Sequence, residues 1–138
     1  STTVTAAETG HLVFSSLHTN SASQTIDRII DSFPSGQQNQ IRTQLASALL
    51  GVFSQRLVPR ISGGRIPAHE LLIANTAVRN LIRENKVHEI DLFIETSSEE
   101  GMTSLNQSLI DLVRKGQITM ESAKDYSLNV KGLEHLMG

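Results

Sequence analysis

The chain has 138 residues, of which 38% are hydrophobic and 19% charged, and its formal net charge is −2. This composition is typical of one folded domain with at most a small appendage, and it lacks the basic surface of a nucleic-acid-binding protein. The absence of cysteine excludes disulfides and thiolate metal sites, and no apolar run reaches the roughly 18 residues of a membrane-spanning helix.

The opening residues, STTVTAAETG, have the pattern of a helix that ends at Gly10. We therefore expect the chain to be the later part of a longer protein, and an ordinary flexible N-terminus is the alternative. The run from His11 to Leu17 is short, apolar-rich and has β-formers on both parities. That pattern predicts a strand covered on both faces.

Two helices are predicted after this strand. Asn20 or Ser21 can cap the first, and Pro34 with Gly36 ends it. Its apolar residues recur at i, i+3, i+4 and i+7 and form one stripe: Ile26, Ile29, Ile30 and Phe33. The second helix is predicted over residues 37–55, with a stripe formed by Ile41, Leu45, Leu49, Val52 and Phe53.

A pair of strands comes next, RLVPRIS and GGRIPAHELLIAN, around the turn Ser62-Gly63-Gly64. Pro59 and Pro67 have no backbone donor, so we expect these strands to lie at sheet edges or to pair irregularly. The glycines of the turn do not indicate a phosphate cradle, because the P-loop pattern GxxxxGK[ST] occurs nowhere in the chain.

From Asn75 onward the pattern predicts helices alone. Thr76 can cap the segment AVRNLIREN, and the next helix carries three apolar residues on one side: Val87, Ile90 and Ile94. The fold class is therefore α/β followed by helices. We place the boundary near Asn75, which divides the chain into residues 1–74 and 75–138.

The end of the chain has clear helix signals. Ser104 and Gln107 have the spacing of a capping box, and Gly116 ends the helix that they begin. A short helix is predicted from Thr119 to Tyr126. The last dozen residues are expected to form a loosely held tail.

His18 stands where the apolar strand ends and the first helical pattern begins. Ligands of open α/β sheets bind beyond the carboxyl ends of the strands, so this imidazole could donate to a terminal phosphate, assisted by the hydroxyl of Thr19. The start of the following helix would add a potential that favours anions. Taken alone, a histidine at the end of a strand is more often a structural or surface residue than a ligand of phosphate.

Other candidate motifs are incomplete or ambiguous. His69-Glu70 lacks the second histidine that a zinc protease needs, because residue 73 is Ile. Arg79 and Arg83 are i, i+4 neighbours on one helix face, and Glu84 could pair with them locally. On the pattern alone they form a solvated charged face.

Two segments resemble the secretion and pilus motor ATPases of the type II/type IV secretion superfamily, which have a RecA-like core. AAETGHLVFSSLHTNSASQTIDRIIDSFP resembles their histidine box. AHELLIANTAVRNLIRENK is similar to the A-I-R-N-L-I-R-E segment of the branch that retracts type IV pili, with Val78 in place of the usual Ile. SQRLVPRISGGRIPAHE also matches that branch. The assembly branch usually has a four-cysteine zinc element in this region, and this chain has no cysteine.

The resemblance implies a fold and an activity. Residues 1–74 would be the latter part of a RecA-like P-loop ATPase core, and residues 75–138 a helical C-terminal subdomain. The whole protein would be a homo-hexameric ATPase, using ATP and Mg²⁺, that powers pilus retraction and twitching motility. It would be cytoplasmic, at the inner face of the membrane, docked on the inner-membrane pilus platform protein. The P-loop lies upstream of the histidine box in this family, so this chain alone is expected to bind no cofactor and to be inactive.

The resemblance also implies roles for individual residues. His18 would contact the γ-phosphate with Thr19 beside it, and Glu8, Thr9 and Gly10 would shape the approach to that site. The retraction segment, required for pilus disassembly more than for hydrolysis, would be Ala77, Val78, Arg79, Asn80, Leu81, Ile82 and Arg83. Two alternatives stay open: a pilus-assembly or type II secretion ATPase, and a non-catalytic interaction module.

Overall fold

The computed structural model describes residues 13–14 and 21–137. In chain order the strands and helices are β1 Val13–Phe14, α1 Ala22–Asp31, α2 Gln38–Ala48, β2 Gly51–Pro59, β3 Arg65–Ile73, α3 Thr76–Arg83, α4 Ile90–Glu95, α5 Leu105–Arg114, α6 Met120–Tyr126 and α7 Val130–Met137. Short 3-10 turns lie at Ser35–Gln37, Val87–Glu89 and Ser98–Glu100. The order of strands and helices predicted from the sequence is confirmed in outline.

The described strands form one sheet in the order β1-β2-β3. β1 runs parallel to β2, with Val13 opposite Val52, and β3 runs antiparallel to β2 in an unbroken register from Gly51–Ile73 to Pro59–Arg65. Of the two outcomes expected from the prolines, the edge position is confirmed for β3, which lies at one edge of the described sheet, and the β2–β3 pairing is regular. Pro59 is the last residue of β2 and Pro67 belongs to β3, so neither missing donor interrupts the register.

The second predicted helix was too long. α2 ends at Ala48, and residues 51–55, predicted as helix, form the start of β2. Leu49 already has extended backbone at ψ 131°. The positions of Val52 and Phe53 satisfy a helical stripe by coincidence, and the nine-pair ladder with β3 is a long-range contact that local periodicity does not contain.

One face of the β2–β3 hairpin packs against two hydrophobic cores. At one end, Val52 and Leu72 belong to a core that also holds buried residues of α1, α2, α3 and α4. At the other end, Val58 and Ala68 belong to a second core with α5, α6 and α7. Residues on both sides of position 75 share the first core, and the division of the chain into two domains at that position stays a prediction.

Helix starts agree with the predicted capping chemistry. Ser21 caps α1, Ser104 caps α5 and Thr119 caps α6, each hydroxyl accepting the N–H group three residues on. One cap was misassigned: α3 is capped by Asn75, whose side chain accepts the N–H of Val78, rather than by Thr76. Asn75 is one residue earlier and offers the stronger capping side chain.

The expectation of a loose C-terminal tail is wrong. Residues 130–137 form α7, and Leu133 is fully buried in the second core. The guanidinium of Arg114 in α5 also donates to the carbonyl of Leu136, at 3.3 Å. Because Leu133 is the fully buried side chain of α7, it carries most of the helix's apolar attachment.

Replacing Leu133 by alanine is expected to lower the unfolding free energy by about 2 kcal/mol, near the low end for a buried Leu→Ala change, because α7 can detach locally. Amide hydrogen exchange should show faster exchange confined to residues 130–137. Leu136→Ala is the matched control, since Leu136 is 37% exposed. Equal exchange rates in the two variants would contradict the assignment of Leu133 as the anchor.

Candidate functional site

The histidine-box residues of interest, His18 and Thr19, lie outside the described residues, as do Glu8, Thr9 and Gly10. Their predicted roles at a phosphate stay predictions. The structure does describe the residues shortly after them in the chain, namely Ser21, the cap of α1, and the first turn of that helix. The described part of the candidate site therefore consists of this helix start and the residues packed against it.

The start of α1 is already held by a carboxylate. The N–H of Ala22 donates to Oε1 of Glu70 in β3 at 2.7 Å, and the N–H of Gln24 donates to the hydroxyl of Ser21 at 3.2 Å. The sequence predicted that this helix start would favour a bound phosphate. Within the described residues, the favourable potential at its N-terminus acts on the buried carboxylate of Glu70, and the phosphate contact stays a prediction.

Glu70 lies between two helix starts. Besides the N–H of Ala22, which donates to it, the backbone N–H of Leu105, the first residue of α5, lies close enough to lower the pKa of its carboxyl. Glu70 is only 6% exposed and lies opposite Ser54 in the β2–β3 register, in a polar layer between the two hydrophobic cores. This buried carboxylate therefore lies between α1, which begins four residues after His18, and the first helix of the second core.

Burial raises the pKa of Glu70 to about 7. The two backbone donors act in the opposite direction, and the nearby carboxylate of Asp91 raises the pKa further. Burial, and after it repulsion from Asp91, also raises the pKa of Glu95. The start of α1 therefore faces three carboxyl groups, and the charge on Asp91 disfavours ionisation of the other two, Glu70 and Glu95.

A second carboxylate holds the same helix start. The hydroxyl of Ser23 donates to Oδ1 of Asp91 in α4 at 2.7 Å, and it also lies 3.0 Å from the hydroxyl of Ser21. Glu70, Asp91 and Glu95 line one cavity of about 260 Å³, with Leu92 and Leu128 at its rim. This cavity lies beside the cap of α1, close in the chain to the histidine box.

Residues 77–83, predicted to be the retraction segment, lie in α3, and the two faces of this helix differ in burial. Val78 and Ile82 are fully buried in the first core, so their side chains fix the helix. Arg79 is half-buried and its guanidinium donates to the carbonyl of Ala46, in the last turn of α2. The structure therefore gives Arg79 a local role, since a cation bound to a helix C-terminus offsets its partial negative charge.

The opposite face of α3 is open. Ala77, Asn80 and Arg83 are exposed, and Leu81 is half-buried against the first core. Arg83 donates to the side chain of Asn80 at 2.8 Å within the helix. The local pairing expected between Glu84 and these arginines is not seen: its carboxylate lies 3.6 Å from the ammonium of Lys86.

The described residues do not fit a triphosphate or a metal ion. Between residues 21 and 137, no group of three His, Asp or Glu side chains is placed to hold a metal. The chain also has no P-loop to grip phosphates.

Glu70 was missed from the sequence, where it counted only as half of an incomplete zinc motif. A usable signal was present. Ala68, Glu70 and Leu72 alternate along one face of the strand, so a strand with Leu72 inward also turns a carboxylate inward. A buried carboxylate needs donors nearby, and that requirement identifies the residue as special.

Comparison with known proteins gives a consistent result. The family described as "Type II/IV secretion system protein" matches residues 1–125. The chain is 48% identical over 131 residues to the twitching motility protein of Neisseria gonorrhoeae, covering 94% of this chain and 35% of that protein. It is 48% identical over 122 residues to the type IV pilus retraction ATPase PilT of Pseudomonas aeruginosa, covering 88% and 36%.

A solved structure agrees with these relatives. A crystal structure described as the pilus retraction motor PilT with bound ADP matches with a TM-score of 0.82 and 50% identity, covering 97% of this chain and 37% of that one. The chain thus spans about a third of the length of the proteins it matches. In residues 13–14 and 21–137, no helix is both long enough and apolar enough to cross a bilayer.

Proposed function

The chain belongs to the type II/IV secretion system protein family, and we propose that it is part of an ATPase motor that retracts type IV pili. The assignment of the retraction branch rests on the likeness over nearly the whole chain to proteins named for twitching motility and pilus retraction. The proposal extends to the whole motor what those names say of the relatives.

One structural observation carries the proposal. The segment that resembles the retraction motif forms a helix whose buried face, Val78 and Ile82, lies in the same core as α1. Its other face leaves Asn80 and Arg83 exposed. A movement at the start of α1 would therefore be transmitted through a packed core to an exposed, partner-facing helix, as a motor requires.

The proposal assigns nucleotide binding and phosphate sensing to different parts of the motor. Another part of the motor grips ATP and Mg²⁺, because this chain has no P-loop. His18 and Thr19 contact the γ-phosphate, with Glu8, Thr9 and Gly10 beside them, so that loss of the phosphate is sensed at the start of α1. The motor is a cytoplasmic homo-hexamer at the inner face of the membrane, and residues 77–83 serve retraction against the pilus platform protein.

A hybrid motor tests the function. The matched third of P. aeruginosa PilT is replaced by this chain, and the hybrid is expressed in a strain that lacks PilT. We expect restored twitching and ATP hydrolysis by the purified hybrid, whereas the 138-residue chain alone should hydrolyse no ATP above background. A hybrid that folds and assembles but neither hydrolyses ATP nor restores twitching would refute the proposal.

The exposed face of α3 gives a sharper prediction. In the hybrid, Arg83→Ala is expected to weaken docking about tenfold, the loss expected of an interface residue that contributes more than about 1 kcal/mol, and so to reduce twitching while ATP hydrolysis stays unchanged. Arg28→Ala is the matched control, because Arg28 is likewise exposed in the last turn of its helix. Equal twitching by the two variants would argue against a partner at α3.

The two alternative functions make different predictions in the same system. An assembly or secretion ATPase would restore piliation to a strain lacking the assembly ATPase, and the hybrid is expected not to do so. A non-catalytic module would leave the hybrid without ATP hydrolysis.

A further inference from the structure

The two most exposed large apolar side chains of the described residues lie in two surfaces of opposite charge. Leu92 in α4 is 68% exposed, and Ile61, at the end of the β2–β3 hairpin, is 60% exposed. Residues 87–101, around Leu92, contain five Asp or Glu and no Lys or Arg. Residues 55–67, around Ile61, contain three Arg and no Asp or Glu. Since the whole chain has a net charge of only −2, charge of each sign is concentrated around one exposed apolar residue.

Leu92 lies at the rim of the cavity that Glu70 lines, which has a volume of about 260 Å³. Leu128 is exposed at the same rim, and Asp91 and Glu95 are exposed carboxylates of its wall. In the described parts of the chain, no ion pair joins these three acidic residues to a cation. The cavity is smaller than the roughly 300–1,000 Å³ of small-molecule sites, so it suits side chains of a protein partner, one apolar and one cationic.

The hairpin tip, residues 60–65, has the complementary features. Ile61 and Arg65 are exposed, and neither Arg60 nor Arg65 forms an ion pair with any described residue. Backbone bonds hold the tip in one shape: the N–H of Arg60 donates to the carbonyl of Gly64 at 2.9 Å, and the N–H of Ile61 donates to the carbonyl of Gln117 at 2.8 Å. A tip that is fixed before contact loses little conformational entropy on docking.

The hairpin tip and the cavity are separate surfaces of one chain. Glu70, in the cavity, and Arg65, in the tip, lie five residues apart on β3, which is about 17 Å of strand. The tip cannot fold back over this distance, because the register between β2 and β3 is unbroken. A contact between tip and cavity therefore joins two copies. Because the two surfaces differ, that contact is head-to-tail, the kind that closes into rings.

From these observations we propose that the hairpin tip of one copy of this chain docks on the cavity of a second copy. Ile61 packs against Leu92. The guanidinium of Arg65 faces Asp91 and Glu95. The opposite charges favour this pairing over tip-to-tip or cavity-to-cavity contact, since like charges across an interface cost free energy. The contact itself is independent of the proposed function, and only its repetition around a homo-hexameric ring rests on the proposed ATPase motor.

Disulfide formation measures the contact directly, because the 138-residue chain has no cysteine of its own. Ile61→Cys and Leu92→Cys are mixed and oxidised, and the heterodimer is quantified by mass spectrometry. We expect at least about tenfold more heterodimer than from Ile61→Cys mixed with Leu50→Cys, since docking holds the two thiols at a high effective concentration. Leu50 is the matched control, being 47% exposed and not part of the cavity. Equal yields from the two mixtures would overturn the proposal.

Charge reversal tests the pairing of the two surfaces. Adding Arg65→Glu to the Ile61→Cys chain is expected to lower the heterodimer yield about tenfold or more, because like charges then face each other. Adding Glu95→Arg to the Leu92→Cys chain should restore the yield. Arg28→Glu is the control, since Arg28 is an exposed arginine of α1 outside both surfaces. A loss for Arg28→Glu as large as that for Arg65→Glu would mean that only the total charge matters, and the proposal would be refuted.

The hybrid motor separates this inference from the proposed function. Sedimentation velocity is expected to show fewer hexamers for Arg65→Glu than for Arg28→Glu. If the parent hybrid is an active hexamer and Arg65→Glu leaves the hexamer intact, the inference fails and the ATPase function stands. If the parent hybrid is inactive, the function fails, and the disulfide yields of the 138-residue chain alone decide the inference.

Discussion

Replacing Gly51 by alanine is expected to lower the unfolding free energy of the chain by about 3 kcal/mol, the upper part of the usual range for overpacking. A Cβ built at Gly51 would lie 2.7 Å from the backbone oxygen of Leu72. Backbone atoms in a regular ladder cannot rotate away as the end of a long side chain can. The first pair of the β2–β3 register, Gly51 with Ile73, would have to open to admit the methyl group.

Urea denaturation monitored by circular dichroism measures this effect, with the slope m checked for constancy. Gly36→Ala is the matched control: a Cβ there meets nothing within 4 Å, and Gly36 lies in the 3-10 turn before α2. Its unfolding free energy should stay level or rise slightly, because alanine restricts the unfolded chain. If Gly51→Ala changed the unfolding free energy as little as Gly36→Ala does, the hairpin would tolerate the contact and the prediction would be wrong.

The region around Gly51 also shows why the boundary between α2 and β2 could not be predicted from the sequence. The stripe through Leu45 and Leu49 is helical, and Val52 continues it with the right spacing. Only the close approach to the backbone of Leu72 explains why a glycine interrupts the stripe, and that contact joins two residues that are far apart in the chain. Local periodicity therefore predicted α2 and the later half of β2, but not the residue at which one gives way to the other.

Capping and burial were predictable where the physical cause is local. The hydroxyls of Ser21, Ser104 and Thr119 each bind an N–H group three residues away, and a sequence shows that spacing directly. The buried stripe of α1 is predicted from its period in the same way. The bond from Ala22 to Glu70 joins residues 48 apart, so no local pattern contains it.

Only part of the candidate site could be predicted, because some of its contacts join residues that are far apart in the chain. The resemblance identified the segment 77–83, and the structure shows that Val78 and Ile82 are buried while Asn80 and Arg83 are exposed. The two arginines looked equivalent by spacing. They differ because the C-terminus of α2 lies next to Arg79, where the carbonyl of Ala46 accepts its guanidinium N–H, and not next to Arg83.

The stability of the chain is expected to fall as the pH rises from about 4.5 to about 7. The carboxyl of Glu70 has its pKa raised from 4.5 to about 7 by burial, so in this interval the folded chain holds a proton that the unfolded chain has released. The unfolding free energy decreases with pH wherever the unfolded state binds fewer protons. At roughly 1.4 kcal/mol per pKa unit, the loss is about 3 to 4 kcal/mol and levels off above pH 7.

The charged groups around Glu70 also raise the pKa of its carboxyl. Asp91 and Glu95 of α4 face it across the cavity and repel its charged form, while α1 and α5 present the uncharged Ser21 and Asn106. His88 also lines the cavity but is largely exposed. Burial raises the pKa of Glu95 as well. Its titration therefore also makes the unfolding free energy fall as the pH rises.

Urea unfolding of the chain at a series of pH values measures this slope, and Glu70→Gln should remove most of it because glutamine does not titrate. Glu99→Gln is the control, since Glu99 is an exposed carboxylate in the turn Ser98–Glu100, and its curve should match that of the parent. Above pH 7, Glu70→Gln should be more stable than the parent, because no charge is then forced into the layer between the two cores. A parent curve that rises between pH 4.5 and 7 would mean that the helix N-termini of α1 and α5 stabilise the carboxylate by more than its burial costs.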